Sequence, residues 1–260
     1  MTFPRVALIT GVGRRAGIAA GIADRLADDG WDIAISYLTA YDDRMPWGRQ
    51  SDDVAATLES LRGRGVRAAA IEADLADPDA AAVAFAGAEA ALGPVSALVM
   101  SHSESVDSGI LDTTVESFDR HFAVNTRASW LLIREFAVRF AAAQPAASAA
   151  ERTGRIVALT SDHTVFNLPY GASKGALDRI VIAAARELAD LGISSNVVNP
   201  GPIDTGWMVG DQAQQMAAAT PAGRLGTPRD IAGLVSFLLS ADGGWFNGQL
   251  LKADGGFSAK

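Results

Sequence analysis

The sequence predicts an α/β fold, with one doubly wound parallel sheet of about seven strands flanked by helices on both faces. Short apolar runs rich in β-branched residues alternate with longer stretches of helical periodicity along the whole chain. A glycine-rich loop follows the first apolar run and opens the first helical stretch. This alternation is typical of right-handed crossovers between parallel strands. Such sheets bind ligands beyond the carboxyl ends of their strands, so we expect the chemistry there.

Each predicted strand is a short apolar run bounded by turn residues. Strands are expected at residues 6–10, 33–37, 68–73, 97–100, 155–160, 194–198 and 249–252. Helices are expected near residues 17–29, 51–62, 78–91, 114–141, 170–190 and 228–240. Asp77-Pro78 and Thr227-Pro228 each combine a capping residue with proline at the first helical position. Two long connections, 38–50 and 201–227, and the alanine-rich segment 141–150 lie outside this pattern.

Composition limits the class of protein. The chain has 260 residues, 49% of them hydrophobic, without an internal repeat or linker, so we expect one domain spanning residues 1–260. It has no cysteine, which excludes disulfides, thiolate metal sites and a cysteine nucleophile. The net charge of −8 argues against a nucleic-acid partner. No apolar run approaches the roughly 20 residues of a membrane span, and the first strand is too short for a signal peptide. We therefore expect a cytoplasmic protein that acts on a small molecule, with no membrane partner.

The first motif is the glycine loop. Gly11, Gly13 and Gly17 stand between the first strand and the first helix. Glycines in this position let the backbone approach a pyrophosphate at the positive end of the helix. The alternative is an ordinary tight strand-to-helix turn, which also favours glycine. The position of the loop, in the first βα unit of an alternating chain, favours the dinucleotide site.

The second motif is Tyr170-Gly-Ala-Ser-Lys174. Residues four apart share a helix face, so the ammonium of Lys174 is expected beside the phenol of Tyr170. A neighbouring cation favours phenolate and would lower the pKa of the tyrosine toward working pH, as a general acid/base requires. The alternative is an unrelated surface tyrosine and surface lysine.

Two further polar residues complete a candidate site. Ser161 follows the fifth predicted strand, and Asn125 lies inside the long predicted helix 114–141. Asparagine is mildly unfavourable in a helix interior, which suggests a specific role. Its alternative is a buried side chain that ties two elements together.

Together these motifs resemble the short-chain dehydrogenase/reductase family over essentially the whole chain. The matching features, in family order, are the glycine loop, Asp74-Leu75, Asn125, Ser161, Tyr170-x-x-x-Lys174 and Asn199-Pro-Gly-Pro-Ile-Asp-Thr205. The resemblance implies a Rossmann-type domain and NAD(P)-dependent interconversion of a carbonyl and an alcohol, similar to 3-oxoacyl-carrier-protein reductases. It also implies a homotetramer or homodimer built on helices 114–141 and 170–190.

The resemblance also implies roles for the matching residues. Tyr170 would transfer the proton, Ser161 would hydrogen-bond the substrate oxygen, and Asn125 would hold a water that relays protons to Lys174. Lys174 would also hold the nicotinamide ribose, and Asp74 would meet the adenine. The cofactor is expected to touch Gly11, Gly13, Arg14, Arg15, Gly17, Ile18, Tyr37, Asp74, Leu75, Ser101, Tyr170, Lys174, Pro200, Gly201, Ile203 and Thr205. The substrate pocket is expected to include His102, His163, Phe166, Trp207 and Met208.

The sequence departs from the family pattern in its glycine loop. Gly11 and Gly17 enclose more residues than is usual, a spacing that resembles the divergent enoyl-reductase branch. That branch separates its tyrosine and lysine more widely than Tyr170 and Lys174, so we expect a carbonyl/alcohol enzyme with an enlarged phosphate loop.

A second departure follows the fourth strand, where Met100-Ser101-His102-Ser103 replaces the usual Asn-Asn-Ala-Gly. Histidines such as His102 and His163 suggest proton handling. Both could instead be ordinary pocket walls. No ligand-spaced motif predicts a metal.

The third departure is spacing. Ser161 and Tyr170 stand closer in sequence than is usual in the family, so the intervening loop is shortened. Tyr170 is positioned by its own helix, so we expect the deletion to open the pocket and leave Ser161 as the catalytic serine. Thr160 is the alternative hydroxyl, and strand alternation sends the two side chains to opposite faces.

Cofactor choice depends on the end of the second strand, where NAD enzymes usually place an acidic residue. Here the strand ends at Tyr37 and no acidic residue follows before Asp42, whereas Arg14 and Arg15 could pair a 2′-phosphate. We therefore expect NADP(H) rather than NAD(H). A binding protein that senses the dinucleotide without turnover is the alternative to an enzyme, and the shortened loop and His102 are the features in its favour.

Overall fold

The computed structural model describes residues 5–45, 47–48, 52–143, 153–208 and 210–259. All seven predicted strands are present in these residues, each within one residue of its expected ends: β1 Val6–Thr10, β2 Asp32–Tyr37, β3 Ala68–Glu72, β4 Ala97–Met100, β5 Gly154–Leu159, β6 Ile193–Asn199 and β7 Leu250–Lys252. They form one parallel sheet in the order β3-β2-β1-β4-β5-β6-β7. The strand order reverses between β1 and β4, which is where a sheet of this kind opens a ligand crevice.

The helices cover both faces of the sheet. They are α1 Ile18–Asp28, α2 Thr39–Asp42, α3 Asp53–Gly63, α4 Ala80–Leu92, α5 Val115–His121, α6 Ala128–Ala143, α7 Leu168–Glu187, α8 Gln212–Ala219 and α9 Pro228–Leu239. One apolar core lies between the sheet and α4, α6 and α7, and a second lies between the sheet and α1 and α9. Strands that are apolar on both faces are therefore explained by burial on both sides.

Helix boundaries follow local capping where the sequence provides it. Thr227 and Asp230 form a capping box at the start of α9, as the Thr227-Pro228 signal predicts. The helix expected to begin at Pro78 begins two residues later, at Ala80. Asp77 does not cap this helix, because its Oδ1 accepts a hydrogen bond from the N–H of Asp79 in the preceding turn. Of the alanine-rich segment 141–150, residues 144–150 lie outside the described part.

The expected helix 114–141 is interrupted. A π-helical turn at Phe122–Arg127 joins α5 to α6. Short π-helical insertions are frequent at functional sites. Here the turn contains Asn125, so the extra residue places that side chain differently from a regular helix.

Candidate active site

A cavity of about 830 Å³ lies at the carboxyl edge of the sheet. The glycine loop after β1 and the ends of β2, β4, β5 and β6 contribute to its walls. Most predicted site residues line it: Gly11, Gly13, Arg14, Gly17, Ile18, Tyr37, Asp74, Leu75, Ser101, His102, Ser161, His163, Tyr170, Lys174, Pro200, Gly201, Ile203, Thr205, Trp207 and Met208. The volume is within the range of a ligand or cofactor cavity.

The glycine loop is fixed against the backbone of the neighbouring strand. Gly11 has φ +80°, and a Cβ there would lie 2.7 Å from the backbone N and Cα of His102. Its N–H donates to the carbonyl of Ser36 at 2.9 Å. Any side chain at this position would clash with backbone and strain φ. Because Gly11 has no side chain, the loop backbone can face a ligand at the start of α1. A pyrophosphate would fit this position.

Tyr170 lies in the first turn of α7, after Pro169. Part of its ring faces the cavity, and its hydroxyl lies within hydrogen-bonding reach of Ser161 and Ser103. Burial raises the pKa of Tyr170, and the two serine hydroxyls oppose that rise. The expectation that Lys174 would lower the pKa of Tyr170 is therefore wrong, because burial dominates.

Lys174 is buried beneath Tyr170. Its Nζ donates to the carbonyl of Leu159 at 3.0 Å and to that of His102 at 3.4 Å, and it lies 5.8 Å from the centroid of the Tyr170 ring. Burial lowers the pKa of Lys174 to about 8. The ammonium is thus held at the junction of β4, β5 and α7, close to the phenol but directed at backbone oxygens.

The two hydroxyls after β5 point in different directions. Ser161 faces the cavity beside Tyr170, and its Oγ accepts from the N–H of His163 at 3.2 Å. Thr160 is buried, and its Oγ1 donates to the carbonyl of Lys174 at 3.4 Å. The alternation expected of an extended chain places only Ser161 against the phenol.

Asn125 is buried behind the cavity wall and is not part of its lining. Its Nδ2 donates to the carbonyl of Glu104 and to Ser173 Oγ, both at 2.9 Å, and its Oδ1 accepts from the N–H of Glu104 at 2.8 Å. The side chain therefore ties the segment after β4 to α7. The water-relay role remains a prediction.

His102 is buried, and its two ring nitrogens are occupied. Its Nδ1 lies 2.7 Å from Thr10 Oγ1, and its Nε2 lies 3.0 Å from the carbonyl oxygen of Val124. Because the carbonyl can only accept, Nε2 carries the proton and Nδ1 accepts from the threonine. Burial, reinforced by Lys174, lowers the pKa of His102 to about 3. The lowered pKa favours the neutral form of His102, and both ring nitrogens make structural contacts.

Three predicted residues lie outside the cavity lining. Arg15 turns toward α1, where its Nη1 lies 3.6 Å from Asp24 Oδ1, because the loop directs consecutive side chains apart. Phe166 is 82% exposed on the outer surface, with φ +60°. Its expected place in the substrate pocket is therefore wrong for this cavity. Asn125, described above, is the third.

A buried carboxylate was missed by sequence reasoning. Glu104 accepts two hydrogen bonds from Arg44, at 3.1 and 2.9 Å, and one from Arg120 Nε at 3.1 Å. Arg120 Nη2 also lies 3.5 Å from Asp74 Oδ2. These pairs join the connection after β2 to α5 at the side of the cavity where the adenine is expected. No local pattern in the sequence links Arg44 to Glu104.

A second group, found only in part by sequence reasoning, closes the cavity at the phosphate loop: Trp207 was expected in the substrate pocket, and Trp47 was missed. Trp47 and Trp207 stack with ring centroids 5.3 Å apart and an interplanar angle of 9°, an arrangement called here the tryptophan stack. Arg14 lies over Trp47, 4.6 Å from the ring centroid, and donates to the carbonyl of Thr205 at 2.6 Å. Trp47 Nε1 donates to Asp42 Oδ1 at 2.9 Å. The connections after β2 and β6 therefore meet above the glycine loop.

No candidate metal cluster of three or more ligating side chains occurs in the part of the chain that the structure describes. Among the same residues, none of the helices is both long and apolar enough to cross a bilayer.

Comparison with known proteins places these features in context. A family model described as enoyl-(acyl carrier protein) reductase matches residues 11–258. An uncharacterized oxidoreductase of Bacillus subtilis, YjdA, is 33% identical, covering 97% of this chain and 96% of its own. The NADPH-dependent aldehyde reductase-like protein of Arabidopsis thaliana is 35% identical, covering 97% and 94%. A crystal structure of a blue fluorescent protein from a metagenomic library, in complex with NADPH, has a TM-score of 0.83 at 35% identity and 98% coverage of both chains.

Proposed function

The chain belongs to the short-chain dehydrogenase/reductase family of oxidoreductases, and on that premise we propose that it reduces a carbonyl compound to an alcohol with Tyr170 as the general acid. The observation that carries the proposal is the convergence of Tyr170, Ser161 and Lys174 on one cavity that also contains the glycine loop. Convergent polar groups with perturbed pKa values in a cleft are typical of an active site.

The residues present fit a nicotinamide dinucleotide. Gly11, Gly13 and Gly17 leave backbone open where a pyrophosphate would lie, and Gly11 would have no room for a Cβ. Asp74 and Leu75 would border the adenine, and Lys174 would hold the nicotinamide ribose. When bound, the reduced cofactor supplies a hydride to the carbonyl carbon.

The protein's own residues handle the proton. As the carbonyl carbon gains the hydride, its oxygen gains negative charge and takes the proton from Tyr170 Oη. Ser161 Oγ donates a hydrogen bond to the same oxygen and stabilises the developing charge. The cationic Lys174 stabilises the phenolate left on Tyr170, which regains its proton from solvent. The reverse sequence oxidises an alcohol.

The test is steady-state nicotinamide absorbance with NADPH against a panel of aldehydes and ketones. Turnover by the parent protein, with Tyr170→Phe as the matched inactive variant, supports the proposal. Binding of NADPH without turnover of any substrate would instead favour the alternative, a protein that senses the dinucleotide. Its support is the short loop between Ser161 and Tyr170 and the neutral His102.

Reduction of a conjugated carbon–carbon double bond is a second candidate function. The matching family model is described as an enoyl reductase, and the wide spacing of Gly11 and Gly17 points the same way. The spacing of Tyr170 and Lys174 favours carbonyl reduction. Product analysis with an α,β-unsaturated ketone separates them, since an allylic alcohol supports our proposal and a saturated ketone supports the second candidate.

NADP(H) is the cofactor we propose. Arg14 lines the cavity beside the connection after β2, whereas Arg15 lies outside it. Among the described residues, Arg44 and Arg120 are paired with Glu104, so we propose Arg14 as the cation for a 2′-phosphate. A relative described as NADPH-dependent and a similar structure in complex with NADPH support this choice.

We also propose a dimer or tetramer and a cytoplasmic location. Helices α5 and α6 present Val115, Trp130 and Val138, each at least half exposed, and such side chains suit burial against a partner copy. Sedimentation at the mass of a monomer would contradict the assembly. Fractionation of the native host would test the location.

A further inference from the structure

An apolar groove of about 530 Å³ lies next to the active-site cavity. It is lined by residues 109–112 and by Thr164, Val165, Phe166 and Leu168, and is called here the side groove. Four large apolar side chains in it face solvent: Ile110 at 76%, Leu111 at 98%, Val165 at 72% and Phe166 at 82% exposure. Contiguous exposed apolar surface of this kind marks a binding site in a folded protein.

The side groove is held by specific hydrogen bonds. The N–H of Gly109 donates to Asp112 Oδ1 at 2.7 Å, and Thr113 Oγ1 donates to the carbonyl of Gly109 at 2.6 Å. The N–H of Leu168 donates to the carbonyl of Ser108 at 2.9 Å, which joins the two walls. The exposed side chains therefore project from an ordered frame.

The backbone of one wall is strained. Phe166 has φ +60°, and it is the non-glycine residue with positive φ in the described part of the chain. Non-glycine residues rarely adopt this conformation, and it is strained for a residue with a Cβ. Its ring reaches Gly109 on the opposite wall, within 4.0 Å of where a Cβ there would lie. The strain thus places an aromatic ring across the groove.

The side groove continues into the active site. Thr164 and Val165 line both the groove and the cavity that contains Tyr170. They lie in the shortened loop between Ser161 and Tyr170, so a ligand that extends out of the cavity past this loop enters the groove. An apolar chain attached to a carbonyl at Tyr170 would follow this path.

Charge disfavours one class of occupant. Asp112 is the charged side chain among the described residues that line the groove, and Asp107 and Asp162 line the adjoining part of the cavity. Lysine and arginine are absent from the described groove lining. Because like charges repel across an interface, a phosphate-bearing thiol ester or an acidic carrier protein would be disfavoured.

We propose that the side groove binds the apolar portion of a free, uncharged carbonyl substrate whose reacting carbon lies at Tyr170. This inference rests on the proposed function. The substrate class is a hydrophobic aldehyde or ketone that is longer than the catalytic cavity and carries no anionic carrier.

The experiment measures kcat/KM for a homologous series of linear aldehydes with NADPH. Each methylene that reaches the groove should raise kcat/KM by about threefold to fourfold, the value expected for one buried methylene. Leu111→Ser and Phe166→Ser should flatten this dependence on chain length for the longer members. Val83→Ser is the matched control, since Val83 is 51% exposed on α4 and is not part of the groove lining, and it should keep the parent slope.

Several outcomes would overturn the proposal. Equal slopes in the parent protein and both groove variants would do so. A smaller assembly in Leu111→Ser and Phe166→Ser than in the parent, by sedimentation, would mean that the groove is an interface between copies. Higher kcat/KM for an acyl carrier thiol ester than for free aldehydes would contradict the charge argument.

A second measurement separates this inference from the proposed function. If the parent protein reduces no carbonyl compound, the proposed function fails. Binding of the neutral apolar dye Nile red, followed by fluorescence, then decides whether the side groove binds apolar molecules. Weaker binding by the groove variants than by Val83→Ser supports it, and equal binding overturns it.

Discussion

The two ends of the active-site cavity are built in different ways. At the catalytic end, Ser161 follows β5 and Tyr170 and Lys174 occupy one face of α7, so regular elements position every group. At the closing end, the tryptophan stack joins Trp47 and Trp207, which lie in two irregular connections far apart in sequence. The catalytic end is therefore determined by local periodicity, whereas the closing end depends on tertiary packing of loops. We expect the first to control chemistry and the second to control the cofactor.

The largest effect should come from Tyr170→Phe. Removing the hydroxyl removes the proton donor, so kcat should fall by about a hundredfold to ten-thousandfold, the range of general acid–base catalysis. NADPH affinity, measured by calorimetry, should stay near the parent value because the ring remains in place. Turnover within a few-fold of the parent would mean that the catalytic end does not act as described.

Ser161→Ala should have the next largest effect. Loss of one hydrogen bond to the developing oxyanion costs about 2.7–4 kcal/mol, or about a hundredfold to a thousandfold in kcat. Thr160→Ala is the matched control, because Thr160 Oγ1 donates to the carbonyl of Lys174. A larger loss in Thr160→Ala than in Ser161→Ala would reverse the assignment of the two hydroxyls.

This contrast also explains which parts of the fold and of the site could be predicted from the sequence. The seven strands were predictable because each is a short apolar run between turn residues, and Tyr170 and Lys174 because helix geometry fixes their separation. The π-helical turn around Asn125 was not predicted, because the sequence favoured one regular helix over residues 114–141. His102 suggested proton handling, and only its tertiary contacts with Thr10 and Val124 identify it as structural.

The closing end gave no comparable signal. No helix or strand was expected in the connections after β2 and β6, so the partners of Trp47 and Arg44 could not be inferred from spacing. Two adjacent arginines, Arg14 and Arg15, looked equivalent in the sequence. The structure separates them, because one faces the cavity and the other pairs with Asp24.

That separation makes the cofactor prediction sharper. Arg14→Ala should weaken NADPH by about tenfold to a hundredfold, since a hydrogen bond to a charged group contributes about 1.5–3 kcal/mol. Arg15→Ala is the matched control and should leave NADPH affinity near the parent value. NADH affinity should change little in either variant. Calorimetry in which the parent protein binds NADH more tightly than NADPH would contradict the assignment.

The pH dependence of reduction tests the electrostatics of the catalytic end. Burial lowers the pKa of Lys174 to about 8 and raises the pKa of Tyr170. As pH rises through about 8, Lys174 loses its charge before the phenol loses its proton. The kcat/KM for carbonyl reduction should therefore be level below this pH and fall by about tenfold per pH unit above it, as for one essential protonated group.

Lys174→Arg provides the control for that profile. Arginine stays protonated at all accessible pH values, so the alkaline decrease in kcat/KM should move to higher pH even if the maximum rate is lower. An alkaline decrease at the same pH in both proteins would mean that a group other than Lys174 controls it.

The smallest effect should come from the tryptophan stack, which tests the closing end directly. Trp207 lies in the connection after β6, where Gly206 and Gly210 adopt positive φ values of +75° and +57° that suit hinges. Connections of this length commonly close over a bound ligand.

An aromatic pair contributes about 0.5–1.5 kcal/mol beyond its buried area, so Trp207→Ala should raise the dissociation rate of NADPH by about twofold to tenfold. Stopped-flow fluorescence measures this rate. Trp245→Ala is the matched control, because Trp245 is 97% exposed and should leave the rate unchanged. If both variants release NADPH at the parent rate, the stack is a fixed wall of the cavity, and the closing end does not control the cofactor.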